Sequence, residues 1–152
     1  VDSLHENNVR IHVSGNWEEL PQRIVEQIKA SIQQTRNNTG LVLNIVLNYG
    51  GRKEILTACK KLGEELLSGK ISINDIDERT FEKCLYTRDL PDPDLLIRPS
   101  GELRISNFLL WQIAYTELWF TNICWPDFKS DDLLQAICDY QKRERRYGGI
   151  KS

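Results

Sequence analysis

Two arginines and a serine that follow a short apolar run have the clearest chemical potential in this chain. Arg98 comes directly after the apolar residues 95–97, and Arg104 and Ser106 follow shortly afterwards. The run predicts a strand buried on both faces, and open α/β sheets bind ligands just beyond the carboxyl ends of such strands. Guanidinium groups match phosphate oxygens in a bidentate fork. These side chains therefore predict a site for a phosphate ester.

A helix is expected to follow this group, from Ser106 to about Thr116. Its first backbone N–H groups and its dipole would favour the same anion. For Arg98 alone, the alternative is an ordinary salt bridge at a strand end, worth about 0–1 kcal/mol. A charge-assisted phosphate contact contributes about 1.5–3 kcal/mol, so the three residues together favour the anion site.

The rest of the chain alternates predicted strands and helices, which indicates a mainly parallel sheet and a single domain over residues 1–152. Apolar periodicity and turn residues predict the following elements: strands at 9–13, 41–47 and 117–120, and helices at 20–36, 52–67, 77–86 and 131–147, the last capped by Ser130.

Composition excludes several classes of function. The formal net charge of -2 supplies no basic field, so nucleic acid is not an expected partner. The four cysteines are widely and irregularly spaced, unlike zinc ligands, and predict reduced thiols. Because no leader or membrane-spanning run is evident, we expect a cytoplasmic protein without a transmembrane segment.

The sequence closely resembles the cis-prenyltransferases, the undecaprenyl diphosphate synthase family. The resemblance covers almost the whole chain and is strongest in three stretches: Asn48-Tyr49-Gly50-Gly51-Arg52, residues 94–128, and Arg143-Glu144-Arg145-Arg146-Tyr147-Gly148-Gly149. It implies an α/β fold with a mainly parallel sheet flanked by helices. It also implies repeated condensation of isopentenyl diphosphate with an allylic diphosphate such as farnesyl diphosphate, in Z configuration, to a long polyprenyl diphosphate such as undecaprenyl diphosphate.

The resemblance also implies which residues bind the substrate. Arg98, Arg104 and Ser106 would hold the diphosphate of isopentenyl diphosphate. Arg146 and Gly148 match the family's C-terminal Arg-x-Gly motif, which implies a homodimer in which this motif reaches the neighbouring active site. The lipid product would bring peripheral membrane contact.

Glu117 is a carboxylate among apolar neighbours, where an ionised group is costly unless it is paired or holds a cation. One interpretation is an ion pair with Arg98 or Arg104. The other, to which the resemblance points, is a ligand to Mg²⁺ beside the diphosphate, since magnesium takes few protein carboxylates and leaves other positions to phosphate and water. The two interpretations can coexist.

The family's N-terminal motif supplies an aspartate and the loop for the allylic substrate, and it has no counterpart in this chain, which contains no methionine. We therefore expect the catalytic aspartate to lie upstream of Val1. The chain would be the C-terminal portion of a catalytic domain, incomplete at its N-terminus, with no catalytic residue of its own and no activity alone. The alternative is a non-catalytic partner subunit of a heteromeric enzyme. The retained Arg98, Arg104, Ser106 and Glu117 argue against that alternative.

The predicted strand at residues 41–47 places Leu41, Leu43, Ile45 and Leu47 on one face. In an enzyme that lengthens a hydrocarbon, this face would line the product tunnel, with Leu41 as its floor. The simpler alternative is that these residues belong to the core.

Overall fold

The computed structural model describes residues 1–144, and the chain divides into two compact units at Leu90 and Pro91. Each unit contains one pair of parallel strands with helices beside it. The α/β class with parallel strands, expected from the sequence, is confirmed. The two units are described separately below.

The first unit, residues 1–90, begins with a short helix that the sequence pattern did not predict and continues with the two expected strand–helix repeats. Strands β1 and β2 pair in parallel with Arg10 opposite Val42, and helix α2 packs against β1. The elements of this unit are α1 (Asp2–Glu6), β1 (Arg10–Ser14), α2 (Gln22–Thr35), β2 (Val42–Val46), α3 (Gly51–Leu67) and α4 (Glu78–Glu82), with 3₁₀ turns at Trp17–Glu19 and Ile73–Asp75. Asp77 caps α4 by accepting a hydrogen bond from the Thr80 N–H at 2.7 Å.

A buried carboxylate connects α3 to the segment that follows α4. Glu54 is only 1% exposed. It accepts hydrogen bonds from the Tyr49 hydroxyl at 2.6 Å and from the Tyr86 N–H at 2.9 Å. The Tyr86 hydroxyl in turn donates to Asn16 Oδ1 at 2.5 Å, just beyond the end of β1. The first two bonds give the buried carboxyl group hydrogen-bond partners, and the three bonds together join three parts of the unit.

Strand β2 departs from the expectation of a buried strand. Leu43 and Ile45, on its odd-numbered face, are exposed, and Leu41 lies just before the strand with 70% of its surface exposed. Apolar composition predicts a strand here, but burial depends on which elements pack across each face. In the first unit taken by itself, the odd-numbered face of β2 is open.

The second unit, from Pro91 onward, contains β3 (Leu95–Arg98), β4 (Glu117–Phe120), a 3₁₀ turn (Trp125–Asp127) and α5 (Ser130–Gln141). Strands β3 and β4 pair in parallel, and α5 packs on β4, where Trp119 Nε1 donates to Asp139 Oδ2 at 3.2 Å. Hydrogen bonds from Gln135 and Trp119 lower the pKa of Asp139. Helix α5 begins at Ser130 with Lys129 in the cap position, so the expected cap at Ser130 is wrong by one residue.

The helix expected from Ser106 to about Thr116 is also wrong, since a series of turns occupies these residues. Ser106, Asn107 and Leu109 all have positive φ angles, of 48°, 64° and 45°. A right-handed helix needs negative φ at every residue, and short polar side chains favour competing local hydrogen bonds. The segment is therefore not a helix, and it has no helical N-terminus to offer an anion.

Two further observations concern both units. All four cysteines are free, and their reduced state in the cell stays a prediction. Within residues 1–144, no helix is long and apolar enough to cross a lipid bilayer.

Replacing Glu54 tests the buried network. Glu54→Ala removes the acceptor used by the Tyr49 hydroxyl and the Tyr86 N–H, and we expect it to lower the free energy of unfolding by about 2–4 kcal/mol. Glu64→Ala, at an exposed position of the same helix, should change it by less than about 0.5 kcal/mol. Urea unfolding followed by circular dichroism compares the two. Equal effects would mean that the network contributes nothing beyond helix propensity.

Candidate functional site

A pocket of about 420 Å³ opens in the second unit at the carboxyl end of β3. Its lining includes both arginines that the sequence singled out. The lining residues are Arg98, Pro99, Ser100, Glu102, Arg104 and Trp125. The structure thus brings Arg98, the last residue of β3, and Arg104, from the following loop, to one concave surface, which is where an α/β sheet binds its ligands.

The loop after β3 is held by hydrogen bonds to the segment after β4. Ser100 and Gly101 have φ angles of 74° and 70°. Their N–H groups donate to the carbonyls of Ile123 and Thr121, each at 2.8 Å. These two donors are engaged within the protein, so they would not be available to an anion in the pocket.

Gly101 suits this geometry for two reasons. Its positive φ of 70° is adopted by glycine without strain. In addition, a Cβ atom at this position would lie 2.7 Å from Asn122 Oδ1, so the Asn122 side chain would have to move. The glycine therefore allows the two loops to approach each other.

The charge in the pocket is mixed, because Arg104 forms an ion pair with Glu102. Both side chains are substantially exposed, so the pair contributes only about 0–1 kcal/mol. A diphosphate carries several charged oxygens and can compete with a single exposed carboxylate for the guanidinium. The pocket therefore has two cations and one anion before any ligand binds.

Ser106 is placed differently from the two arginines. It lies in an exposed turn and is not among the residues that line the pocket. The helical N–H groups expected to assist it are absent, as described above. Its role as a diphosphate ligand stays a prediction. Arg146 and Gly148, the two other predicted ligands, lie outside the described residues.

Glu117 is paired with a residue that the sequence did not indicate. Arg143 Nη1 donates to Glu117 Oε2 at 2.7 Å and to the Leu118 carbonyl at 3.0 Å. The expected pairing with Arg98 or Arg104 is wrong for a physical reason: Glu117 opposes Leu95 at the start of the strand pair. Arg98 lies at the other end, roughly 10 Å away at about 3.3 Å per residue.

The position of Glu117 affects whether it could hold a magnesium ion beside a diphosphate at Arg98. Within residues 1–144, no group of three or more histidine, cysteine or acidic residues could hold a metal ion. Glu117 is a single carboxylate, its Oε2 is engaged by Arg143, and it does not lie beside Arg98. The described residues therefore do not fit a magnesium ion that bridges Glu117 and a diphosphate at Arg98. The magnesium requirement stays a prediction for the complete protein.

The family resemblance predicts a catalytic aspartate upstream of Val1. In the structure Val1 directly precedes α1, its carbonyl accepts a hydrogen bond from the His5 N–H at 3.0 Å, and 51% of its surface is exposed. An aliphatic side chain cannot exchange protons or bind a metal ion, so Val1 itself is not a site residue. The aspartate expected upstream of Val1 is outside this sequence, and its position stays a prediction.

The sequence interpretation did not assign roles to Glu102 or Trp125. Glu102 lies between the two arginines in sequence, so its charge could have been anticipated. Trp125 comes from a turn after β4, and only the parallel pairing of β3 with β4 brings that turn to Arg98. No local pattern signals this proximity.

A second pocket, of about 470 Å³, lies in the first unit near the end of β1, where His12, Asn16, Trp17, Tyr86 and Arg88 are among its lining residues. The alternating strand pattern around His12 predicts a structural role for this residue. Its Nδ1 lies 3.1 Å from Asn44 Oδ1 on the neighbouring strand, which accords with that expectation. We assign no ligand to this pocket.

Comparison with known proteins identifies the family. Residues 1–148 match the family model described as putative undecaprenyl diphosphate synthase. The isoprenyl transferase of Clostridium perfringens is 52% identical over 151 residues, which are 99% of this chain and 60% of that protein. The isoprenyl transferase of Bacillus subtilis is 50% identical over 150 residues, 99% of this chain and 58% of that protein.

Solved structures support the same family assignment. Lavandulyl diphosphate synthase from Lavandula x intermedia, in complex with dimethylallyl diphosphate, superposes with a TM-score of 0.90 and 37% identity, covering 93% of this chain and 61% of that one. A probable undecaprenyl diphosphate synthase from Campylobacter jejuni has a TM-score of 0.83 and 30% identity, covering 97% of this chain and 67% of that one.

The chain therefore belongs to the undecaprenyl diphosphate synthase family, the cis-prenyltransferases, as its motifs indicated. It spans about 60% of the length of the curated relatives that it matches.

Proposed function

We propose that the full product of this gene is a prenyltransferase that condenses isopentenyl diphosphate with an allylic diphosphate such as farnesyl diphosphate, in Z configuration, to a long polyprenyl diphosphate such as undecaprenyl diphosphate. One observation carries the proposal: Arg98 and Arg104 line one pocket at the carboxyl end of β3, in a chain of this family. The dimethylallyl diphosphate bound to the lavender enzyme supports an allylic diphosphate as the second substrate.

The chemistry of this reaction suits the side chains that are present. Loss of pyrophosphate from the allylic substrate leaves a carbocation, and the alkene of isopentenyl diphosphate supplies the electrons for the new carbon–carbon bond. A proton is then lost from the adduct. The protein has to neutralise phosphate charge, align the two substrates and exclude water, without a nucleophilic side chain. Arg98 and Arg104 would hold the homoallylic diphosphate in this scheme.

A homodimer is part of the proposal, on the strength of the family resemblance, because Arg146 and Gly148 would complete the neighbouring site. The alternative is a non-catalytic partner subunit of a heteromeric enzyme. Retention of both arginines in one pocket favours the catalytic assignment, since a subunit that binds no substrate has no use for them.

Condensation of labelled isopentenyl diphosphate with farnesyl diphosphate by the full gene product tests the proposal. Arg98→Ala and Arg104→Ala should each lower kcat/KM by about 10- to 100-fold, because each removes a charge-assisted phosphate contact, and Arg→Lys should rescue only in part. Arg79→Ala, an exposed arginine of α4, is the matched control. Residues 1–152 alone should be inactive. Unchanged kinetics in both alanine variants, or a full gene product that needs a second polypeptide, would favour the alternative.

The magnesium requirement is tested by comparing the two partners of one ion pair. If Glu117 binds magnesium in the complete protein, Glu117→Gln should raise the Mg²⁺ concentration needed for half-maximal activity. Arg143→Gln should not raise it, because it removes a competing cation from the carboxylate. If both variants shift the magnesium titration equally, or neither does, Glu117 has only its structural ion pair.

The length of the product tests the role of Leu41. If Leu41 is the floor of a product tunnel, Leu41→Ala should give longer prenyl chains. Stability should change little, because the side chain is largely exposed in the first unit. Leu56→Ala, an exposed leucine of α3, is the control and should leave chain length unchanged. Thin-layer chromatography of the dephosphorylated products measures the outcome. Unchanged length together with a clear loss of stability would make Leu41 a core residue.

A further inference from the structure

The pocket at the end of β3 has both polar and apolar surface. Its charged and hydroxyl groups suit a diphosphate, but a prenyl diphosphate also has a hydrocarbon part. Among the lining residues, Pro99 and Trp125 are the two without a charged or hydroxyl side chain. Trp125, one of these lining residues, is 71% exposed, so most of its surface is not covered by the protein. Such a surface next to two cations suits a ligand with an anionic head and a short apolar tail.

Trp125 is held in place before any ligand binds. It opens the 3₁₀ turn Trp125–Asp127, in which the Asp127 N–H donates to the Cys124 carbonyl at 2.9 Å and Pro126 restricts the backbone. The ring of Phe128 stacks on the indole, with centroids 5.8 Å apart and an angle of 12° between the planes. Because the ring is already supported on one face, little conformational freedom is lost when a ligand covers exposed surface.

The position of Trp125 relative to Arg98 is also fixed. Strands β3 and β4 pair in register from Leu95 to Arg98, and the pairing continues into the loops through the Ser100 N–H bond to the Ile123 carbonyl. Trp125 follows only two residues later in the chain. Arg98 and Trp125 therefore line one pocket, and the strand pairing holds the segments that carry them together.

We propose that Trp125 is a specificity-determining residue that contacts the five-carbon tail of isopentenyl diphosphate, so that the pocket prefers a prenyl diphosphate to inorganic pyrophosphate. This inference rests on the proposed function, and it adds the residue that recognises the hydrocarbon. The competing explanation is that the indole is an ordinary exposed aromatic, or that a second copy of the chain covers it.

Binding measurements on the full gene product distinguish recognition of the diphosphate from recognition of the hydrocarbon tail. Isothermal titration calorimetry with isopentenyl diphosphate and, separately, with inorganic pyrophosphate gives a ratio of dissociation constants for each variant. Trp125→Ala should weaken isopentenyl diphosphate binding by about five- to tenfold, the effect of exposing roughly one face of the tail to water, and leave pyrophosphate binding unchanged. Trp125→Phe should restore most of the preference. Leu67→Ala, an exposed leucine of α3, should leave both constants unchanged.

The same measurements distinguish failure of this inference from failure of the proposed function. If the wild-type protein binds both ligands and Arg98→Ala weakens the binding of both, the proposed phosphate site is supported. If Trp125→Ala then leaves the ratio of the two dissociation constants unchanged, whether both constants shift together or neither shifts, the role proposed for Trp125 is overturned. The phosphate site is not affected by that result. Loss of self-association in Trp125→Ala by analytical ultracentrifugation, with that ratio unchanged, would assign the indole to an interface instead. A wild-type protein that binds neither ligand would overturn both proposals.

Discussion

Parallel pairing of β3 with β4 is the constraint on which the candidate site depends. Two parallel strands end at the same edge, so the loops that follow them meet. In this chain the loop after β3 carries Arg98 and Arg104, and the turn after β4 carries Trp125. The hydrogen bonds of Ser100 and Gly101 extend the pairing beyond the strands and hold the two loops together. A cationic surface and an aromatic surface thereby share one pocket.

The same hydrogen bonds decide how the pocket can hold an anion. Many phosphate sites use backbone N–H groups of a glycine-rich loop or of a helix N-terminus. Here the N–H groups of Ser100 and Gly101 already have carbonyl partners, and the segment after Arg104 is not helical. In the proposed site, phosphate would be recognised mainly by the two guanidinium groups, and the ligand would compete with Glu102 for Arg104. Binding would then be sensitive to the loss of either arginine.

Charged and polar contacts join β4 to α5 and to the residues that follow it. Arg143 contacts Glu117 and the Leu118 carbonyl, and Trp119 donates to Asp139. The lowered pKa of Asp139 means that its ionised form is favoured by the fold. This contribution to stability is present above the ordinary carboxyl range and is lost as the pH falls through the lowered pKa.

The sequence by itself determined the class of fold, the family, and the two arginines, because these depend on local periodicity and on contiguous motifs. Strands β1 to β4 and helices α2 and α3 lie close to where apolar patterns place them. Tertiary structure decided the rest. Left-handed backbone at Ser106 and Asn107 replaces the expected helix, the exposure of Leu41 depends on what packs across β2, and the partner of Glu117 comes from the end of α5. Each of these is set by contacts between residues that are distant in sequence or by backbone angles that side-chain type only weakly prefers, so no local pattern could reveal them.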